Sequence, residues 1–212
     1  MKKLNVSVRF VLFVVFAAVT LAAPLSIVWK YESALHYGTL FKFRTQPVDP
    51  VDVFRGRYVT LSFADNSVRE PDKGAQYDDH NNGILYVRLK RDAEGFAVPA
   101  EAGRKRLSGD DVVTVDDAYR SDDGWRLYYP FNRYYLPEDV APMAEQLYRE
   151  ANRNRHGSDG ESRAKADTYV AVRVRNGVGV IEELYLNGVP VREAVRAEMQ
   201  RRQKQQRVND TQ

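Results

Sequence analysis

Two aspartates, Asp49 and Asp52, lie in the stretch Arg44-Thr45-Gln46-Pro47-Val48-Asp49-Pro50-Val51-Asp52. A close pair of carboxylates is the minimum that acid–base catalysis between side chains requires. Their neighbours argue for a different use. Pro47 and Pro50 each fix φ and remove a backbone donor, so the chain turns here. An Asp beside proline accepts hydrogen bonds from the free N–H groups of such a turn, and Arg55 or Arg57 stands close enough to pair with it. We therefore assign Asp49 and Asp52 to the turn and no residue to catalysis.

Other chemistries meet similar objections. A membrane-tethered serine hydrolase would use Ser33, just past an apolar segment, with Lys90 as base. That base must be desolvated and neutral, whereas Lys90 lies at a strand end among Arg88, Arg91 and Asp92. No Gly-x-Ser-x-Gly elbow is present. His36, His80 and His156 are far apart and form no helical metal-binding pair. The loop Asp78-Asp79-His80-Asn81-Asn82-Gly83 matches the start of an EF-hand, but Leu89 stands where the bidentate Glu belongs. The chain has no cysteine, which excludes disulfides, thiolate metal sites and a thiol nucleophile. We predict no metal and no cofactor. The aromatic run Trp125, Tyr128, Tyr129, Phe131, Tyr134, Tyr135 suits a ligand-binding platform in the cell envelope or, more simply, core and cross-strand pairs.

The elements that hold these residues begin with an anchor. Lys2, Lys3 and Arg9 precede an uncharged run from Phe10 to Val28, which as a helix spans about 28 Å, the thickness of a hydrocarbon core. The basic flank stays cytoplasmic and sends the rest of the chain across. Trp29, Lys30 and Tyr31 fit the far interface. A cleaved signal peptide is the competing pattern, with small residues at Ala22 and Ala23. Pro24 is a poor residue after such a cut, and the apolar run continues to Val28. We read an uncleaved single-pass anchor, with the domain in a bacterial periplasm. The expected organisation is a basic N-terminus at 1–9, a transmembrane anchor at 10–28, a juxtamembrane linker at 29–36, a domain at 37–203 and a polar tail at 204–212. The net charge is only +3, with basic residues clustered only at the two ends, so nucleic acid is not an expected partner.

Beyond the anchor, alternation predicts strands at 38–44, 57–63, 84–90, 95–98, 111–115, 124–136, 168–174 and 178–186. Along 57–63, Val59, Leu61 and Phe63 share one face and Tyr58, Thr60 and Ser62 the other. Asp92-Ala93-Glu94-Gly95, Asn176-Gly177 and Asn187-Gly188 mark turns. Residues 65–83 read as a loop. Pro137-Glu138-Asp139 opens a helix carrying Val140, Met143, Ala144, Leu147 and Tyr148 on one side, to about Arg153. A terminal helix runs from Val191 to about Gln203, its outer half too polar to pack. The class is α+β, a mostly antiparallel β domain with two helices behind one N-terminal transmembrane helix.

The segment Gly56-Arg57-Tyr58-Val59-Thr60-Leu61-Ser62-Phe63 resembles the motif of the GDYXXLXY family, membrane-anchored bacterial proteins of unknown function. Gly56, Tyr58 and Leu61 match its Gly-Asp-Tyr-x-x-Leu-x-Tyr pattern, Arg57 replaces the aspartate, and Phe63 replaces the last tyrosine. The approach Arg44-Thr45-x-Pro47-Val48-Asp49-Pro50-x-Asp52-x-x-Arg55, the block Tyr134-Tyr135-Leu136-Pro137-Glu138 and the late Leu184-Tyr185-Leu186-Asn187-Gly188 also look similar. The resemblance implies an anchored accessory domain that accompanies integral membrane proteins. Asp49, Pro50, Asp52, Arg55, Gly56, Tyr58, Leu61 and Phe63 would then serve structure or contact. It implies no established activity.

Overall fold

A computed structural model describes residues 6–46, 58–69, 83–121, 124–153 and 168–209. It opens with helix α1, Val6–Tyr37, which is long and apolar enough to cross a membrane and exposes its apolar residues from Phe10 to Val28. Residues 29–36 continue this helix rather than forming a separate connection. Nothing between Trp29 and Tyr37 breaks a helix, and Glu32 pairs with His36 at 2.9 Å, one turn apart. The helix ends at Gly38, whose N–H bonds the Ala34 carbonyl at 2.9 Å. A Cβ at Gly38 would collide with that carbonyl and lie 3.0 Å from Val174 O, so the chain can leave the helix this closely only through glycine.

The principal sheet is built around β1, Thr39–Gln46. It pairs antiparallel with β11, Tyr169–Arg175, which forms a hairpin with β12, Val178–Leu186. Asn176 and Gly177 have φ of 48° and 87°, the left-handed pair of a two-residue hairpin turn. Asn187 and Gly188 repeat the device before β13, Val189–Pro190. The expected single strand at 57–63 is divided. β2, Tyr58–Thr60, pairs with β10, Arg133–Tyr135, while β3, Ser62–Phe63, pairs with β1. Between them the Leu61 N–H turns to Asn132 O at 2.8 Å. One extended segment thus joins two sheets.

Two further antiparallel sheets complete the β region. One holds β5, Leu85–Arg91, between β6, Ala97–Gly103, and β7, Val112–Val115. The other holds β9, Gly124–Tyr128, between β4, Ser67–Val68, and β8, Asp117–Ser121. β4 lies inside the stretch expected as loop, and polar β8 carries little apolar alternation to announce it. The expected strand 124–136 is split into β9 and β10, with Pro130, which cannot donate to a ladder, between them. Helix α2, Ala141–Arg153, buries Ala144 and Tyr148; helix α3, Val191–Asn209, buries Val191 and Val195. α3 outruns its expected end because Arg, Gln and Lys are good helix formers even where, as at 201–209, they are exposed.

Candidate functional site

The described part of the motif places its alternate residues in the core. Val59, Leu61 and Phe63 are each at most 5% exposed, while Tyr58 is half-buried. Asp49, Pro50, Asp52, Arg55 and Gly56 lie outside the described residues. Phe63 joins Phe43, Tyr129 and Phe131 in a four-ring cluster, every pair with centroids between 5.0 and 5.7 Å. Most meet edge to face, and Tyr129 stacks on Phe131, geometries that add about 0.5–1.5 kcal/mol per pair beyond area burial. Phe131 lies over Gly179 of β12, where a Cβ would sit 2.5 Å from two ring carbons. The Tyr129 hydroxyl reaches Asp65 O at 3.3 Å, and burial pushes its pKa far up. The ring at position 63 is therefore a packing element.

Beside the cluster stands Arg44 of β1, 13% exposed, with three carboxylates on one guanidinium. Asp92 lies 2.7 Å away, Glu94 2.9 Å and Asp65 3.1 Å, while Phe96 stacks below at 4.0 Å. Burial opposes the Arg44 charge, but these carboxylates outweigh it and hold its pKa up. Asp92 has the converse balance. Its own desolvation is overcome by the N–H groups of Phe96 and Glu94 and by Arg44, so its pKa falls below the usual carboxylate range. The end of the same strand is tied to its neighbours as well. Thr45 Oγ1 donates to Thr168 O at 3.1 Å, Gln46 Nε2 to Ser62 Oγ at 2.9 Å, and the Tyr148 hydroxyl to Gln46 O at 3.2 Å.

The solvent side of the motif is small and aromatic. Tyr58 lies 5.5 Å from Tyr135, which is 61% exposed, and Arg133 sits over the Tyr58 ring at 5.2 Å. Exposed Tyr and Arg in one patch have the composition of protein interfaces. One strand position inward, the Tyr134 hydroxyl donates to Glu183 Oε1 at 2.5 Å. Burial first, and this hydrogen bond second, push the Tyr134 pKa up to about 12 against the pull of Arg192. The aromatics of 125–135 divide between core and surface: Tyr129, Phe131 and Tyr134 are buried and Trp125 packs against the core, while Tyr128 and Tyr135 are exposed.

The remaining candidates are dispersed. Ser33 Oγ accepts a hydrogen bond from Arg175 Nη1 at 3.0 Å and makes none with Lys90, which is exposed on β5. Neither the nucleophile–base contact nor the desolvated lysine of a Ser/Lys dyad is formed. His36 is exposed beside Glu32; His80 and His156 lie outside the described residues. Among the described residues no three His, Asp or Glu side chains gather as for a metal ion.

Arg175 instead belongs to a joint between α1 and the principal sheet. Besides holding Ser33 it covers the Tyr37 ring at 5.4 Å, and Arg173 donates to Gly38 O at 3.3 Å. Ala34 is buried between them in sequence. Sequence reading missed this joint and the Arg44 cluster, because their partners lie 142 and up to 50 residues apart.

Fold and joint together define a β-rich α+β domain borne on a helix of membrane-spanning length. The chain belongs to the GDYXXLXY protein family, whose model matches residues 20–184, from within α1 to β12. In comparisons with curated proteins and with solved structures, nothing matches the chain.

Proposed function

We propose that this chain is a single-pass inner-membrane protein whose domain stands in the periplasm as an accessory or binding module for an integral membrane protein. The observation that carries the reading is the unbroken α1. Its apolar length is exposed as lipid-facing surface would be, and its last turn is clamped to the sheet by Arg175, Arg173 and the buried Ala34. Such a module is held at a fixed attitude to the bilayer, which serves a partner in the same membrane better than a freely diffusing ligand. In this reading the motif residues Asp49, Pro50, Asp52, Arg55 and Gly56 shape the approach to the strand, Leu61 and Phe63 pack it, and Tyr58 with Arg133 and Tyr135 offers the contact face.

A photo-crosslinking residue at position 135, in membranes, is the direct test. It should capture a multi-spanning membrane protein, and a C-terminal reporter should be active only outside the cytoplasm. Recovery of the chain alone in mild detergent, with no crosslinked species, would refute the partner; a reporter active in the cytoplasm would refute the orientation.

A further inference from the structure

The direction in which α1 leaves the domain can be read from the joint. The chain leaves α1 at Gly38 against Val174 and enters β1 with Thr39 opposite Val174, while Arg175, nearer the hairpin turn, covers Tyr37 and reaches on to Ser33 further up the helix. Trp29, Lys30 and Tyr31 are exposed, so the helix is free of the domain by that point. Moving up α1 therefore means moving along β11 towards Asn176-Gly177 and past it. The end of the domain that carries this turn is the end that faces the bilayer.

The loop 104–110 belongs to the same end. The Asn176 N–H donates to Gly109 O at 3.2 Å, and Gly177 exchanges backbone bonds with Val112 and Thr114. The acidic groups of this region are engaged: Asp110 faces Arg175 at 3.9 Å, and Asp111 holds Arg88 at 2.7 Å. Lys105 and Arg106, both exposed, have no carboxylate partner among the described residues. Arg106 is three residues from Gly109, a span of at most about 10 Å. Ser33, which shares Arg175 with Asp110, is only about 6 Å along the helix from Trp29, and the headgroup layer itself is roughly 5–7 Å deep.

We infer that the loop 104–110 rests on the membrane surface, where Lys105 and Arg106, with Lys30 of α1, bind anionic phospholipid headgroups. The inference depends on α1 spanning the bilayer. It adds a second attachment whose charge is complementary to an anionic leaflet and weakens with salt. With the clamp on α1, it would fix rotation of the domain about the anchor as well as its height.

The test uses the full-length chain in lipid nanodiscs, either phosphatidylcholine alone or a mixture with phosphatidylglycerol, followed by hydrogen exchange. Amides of 104–110 should exchange several-fold more slowly in the anionic discs, and the difference should shrink at high salt. K105E/R106E should abolish the difference without changing the melting temperature, whereas R201E/K204E on α3 should preserve it. Should the charge reversal unfold the protein, K105Q/R106Q replaces it. Equal exchange in both discs, with α1 protected, would overturn the headgroup contact alone. A difference that survives at K105E/R106E, or vanishes only at R201E/K204E, would overturn it too. Exchange of α1 as fast as in free peptide would overturn the anchor reading on which it rests.

Discussion

Phe63 stands where the family motif has tyrosine, and its ring meets three others in the core. Phe63→Ala should cost about 3–5 kcal/mol in chemical unfolding, and a loss below about 1 kcal/mol would show that the cluster does not hold the sheets together. Gly179→Ala should cost about 1–3 kcal/mol because Phe131, fixed by its neighbours, cannot move aside. Arg44 predicts a pH signature. Arg44→Gln leaves Asp65, Asp92 and Glu94 facing one another, so the variant's deficit should be largest near neutral pH and shrink below about pH 4 as carboxylates protonate. In the natural chain Asp92, with its lowered pKa, stabilises above the ordinary carboxylate range, and that contribution is lost as pH falls through it. A deficit independent of pH would remove the electrostatic account. Tyr134 acts at the other extreme. Its pKa of about 12 means that the folded state keeps a proton the unfolded chain loses near pH 10, so stability should drop between those values. Thermal melts of Tyr134→Phe should lose part of this alkaline decline, Tyr129 accounting for more of it. The ring at position 63 was legible from alternation. The three carboxylates on Arg44 were not, since Asp65 and the turn that carries Asp92 and Glu94 lie 21 and up to 50 residues from it along the chain.

At the scale of elements, sequence reading succeeded where a local cause sufficed. Asn176-Gly177 announces its hairpin because both residues take positive φ, and Gly177→Val adds a clash with the Thr114 hydroxyl to that strain. It should destabilise by more than 1 kcal/mol, about the cost of one strained residue; an unchanged melting temperature would contradict this. Reading failed where partners decide. The alternation of 57–63 is continuous, yet its ladder changes hands at Leu61 because β10 begins with Arg133 opposite Thr60 and β1 ends with Gln46 opposite Ser62. Nothing in residues 29–37 breaks the helix, so α1 runs unbroken to Tyr37, and its last turn is held on β11 through Ser33 and Arg175. Arg175→Ala should therefore speed hydrogen exchange at 33–38 several-fold while leaving the sheet protected, and equal exchange would mean that Ala34 packing alone secures the joint.

For the whole molecule, the proposed anchor is one continuous helix and would act as a rigid shaft. Each residue added to it would rotate the domain by about 100° relative to the part proposed to lie in the membrane. If a membrane partner is bound through both, one alanine inserted after Trp29 should abolish crosslinking from position 135, and four, close to a full turn, should restore much of it. Capture that is indifferent to insertion length would point to a partner reached by the domain alone.

The sequence by itself determined what depends on near neighbours along the chain: an apolar helix long enough for a bilayer, period-two strands, glycine and proline turns, the absence of thiol chemistry and the motif that marks the family. Only the tertiary structure decided which strand pairs with which, that Arg44 gathers three acids, and that Ser33 meets Arg175 rather than Lys90. Local backbone preferences act over a few residues and are written in residue order. Ladders, ion clusters and ring packing join residues up to 142 positions apart, and only closing those loops brings their chemistry together.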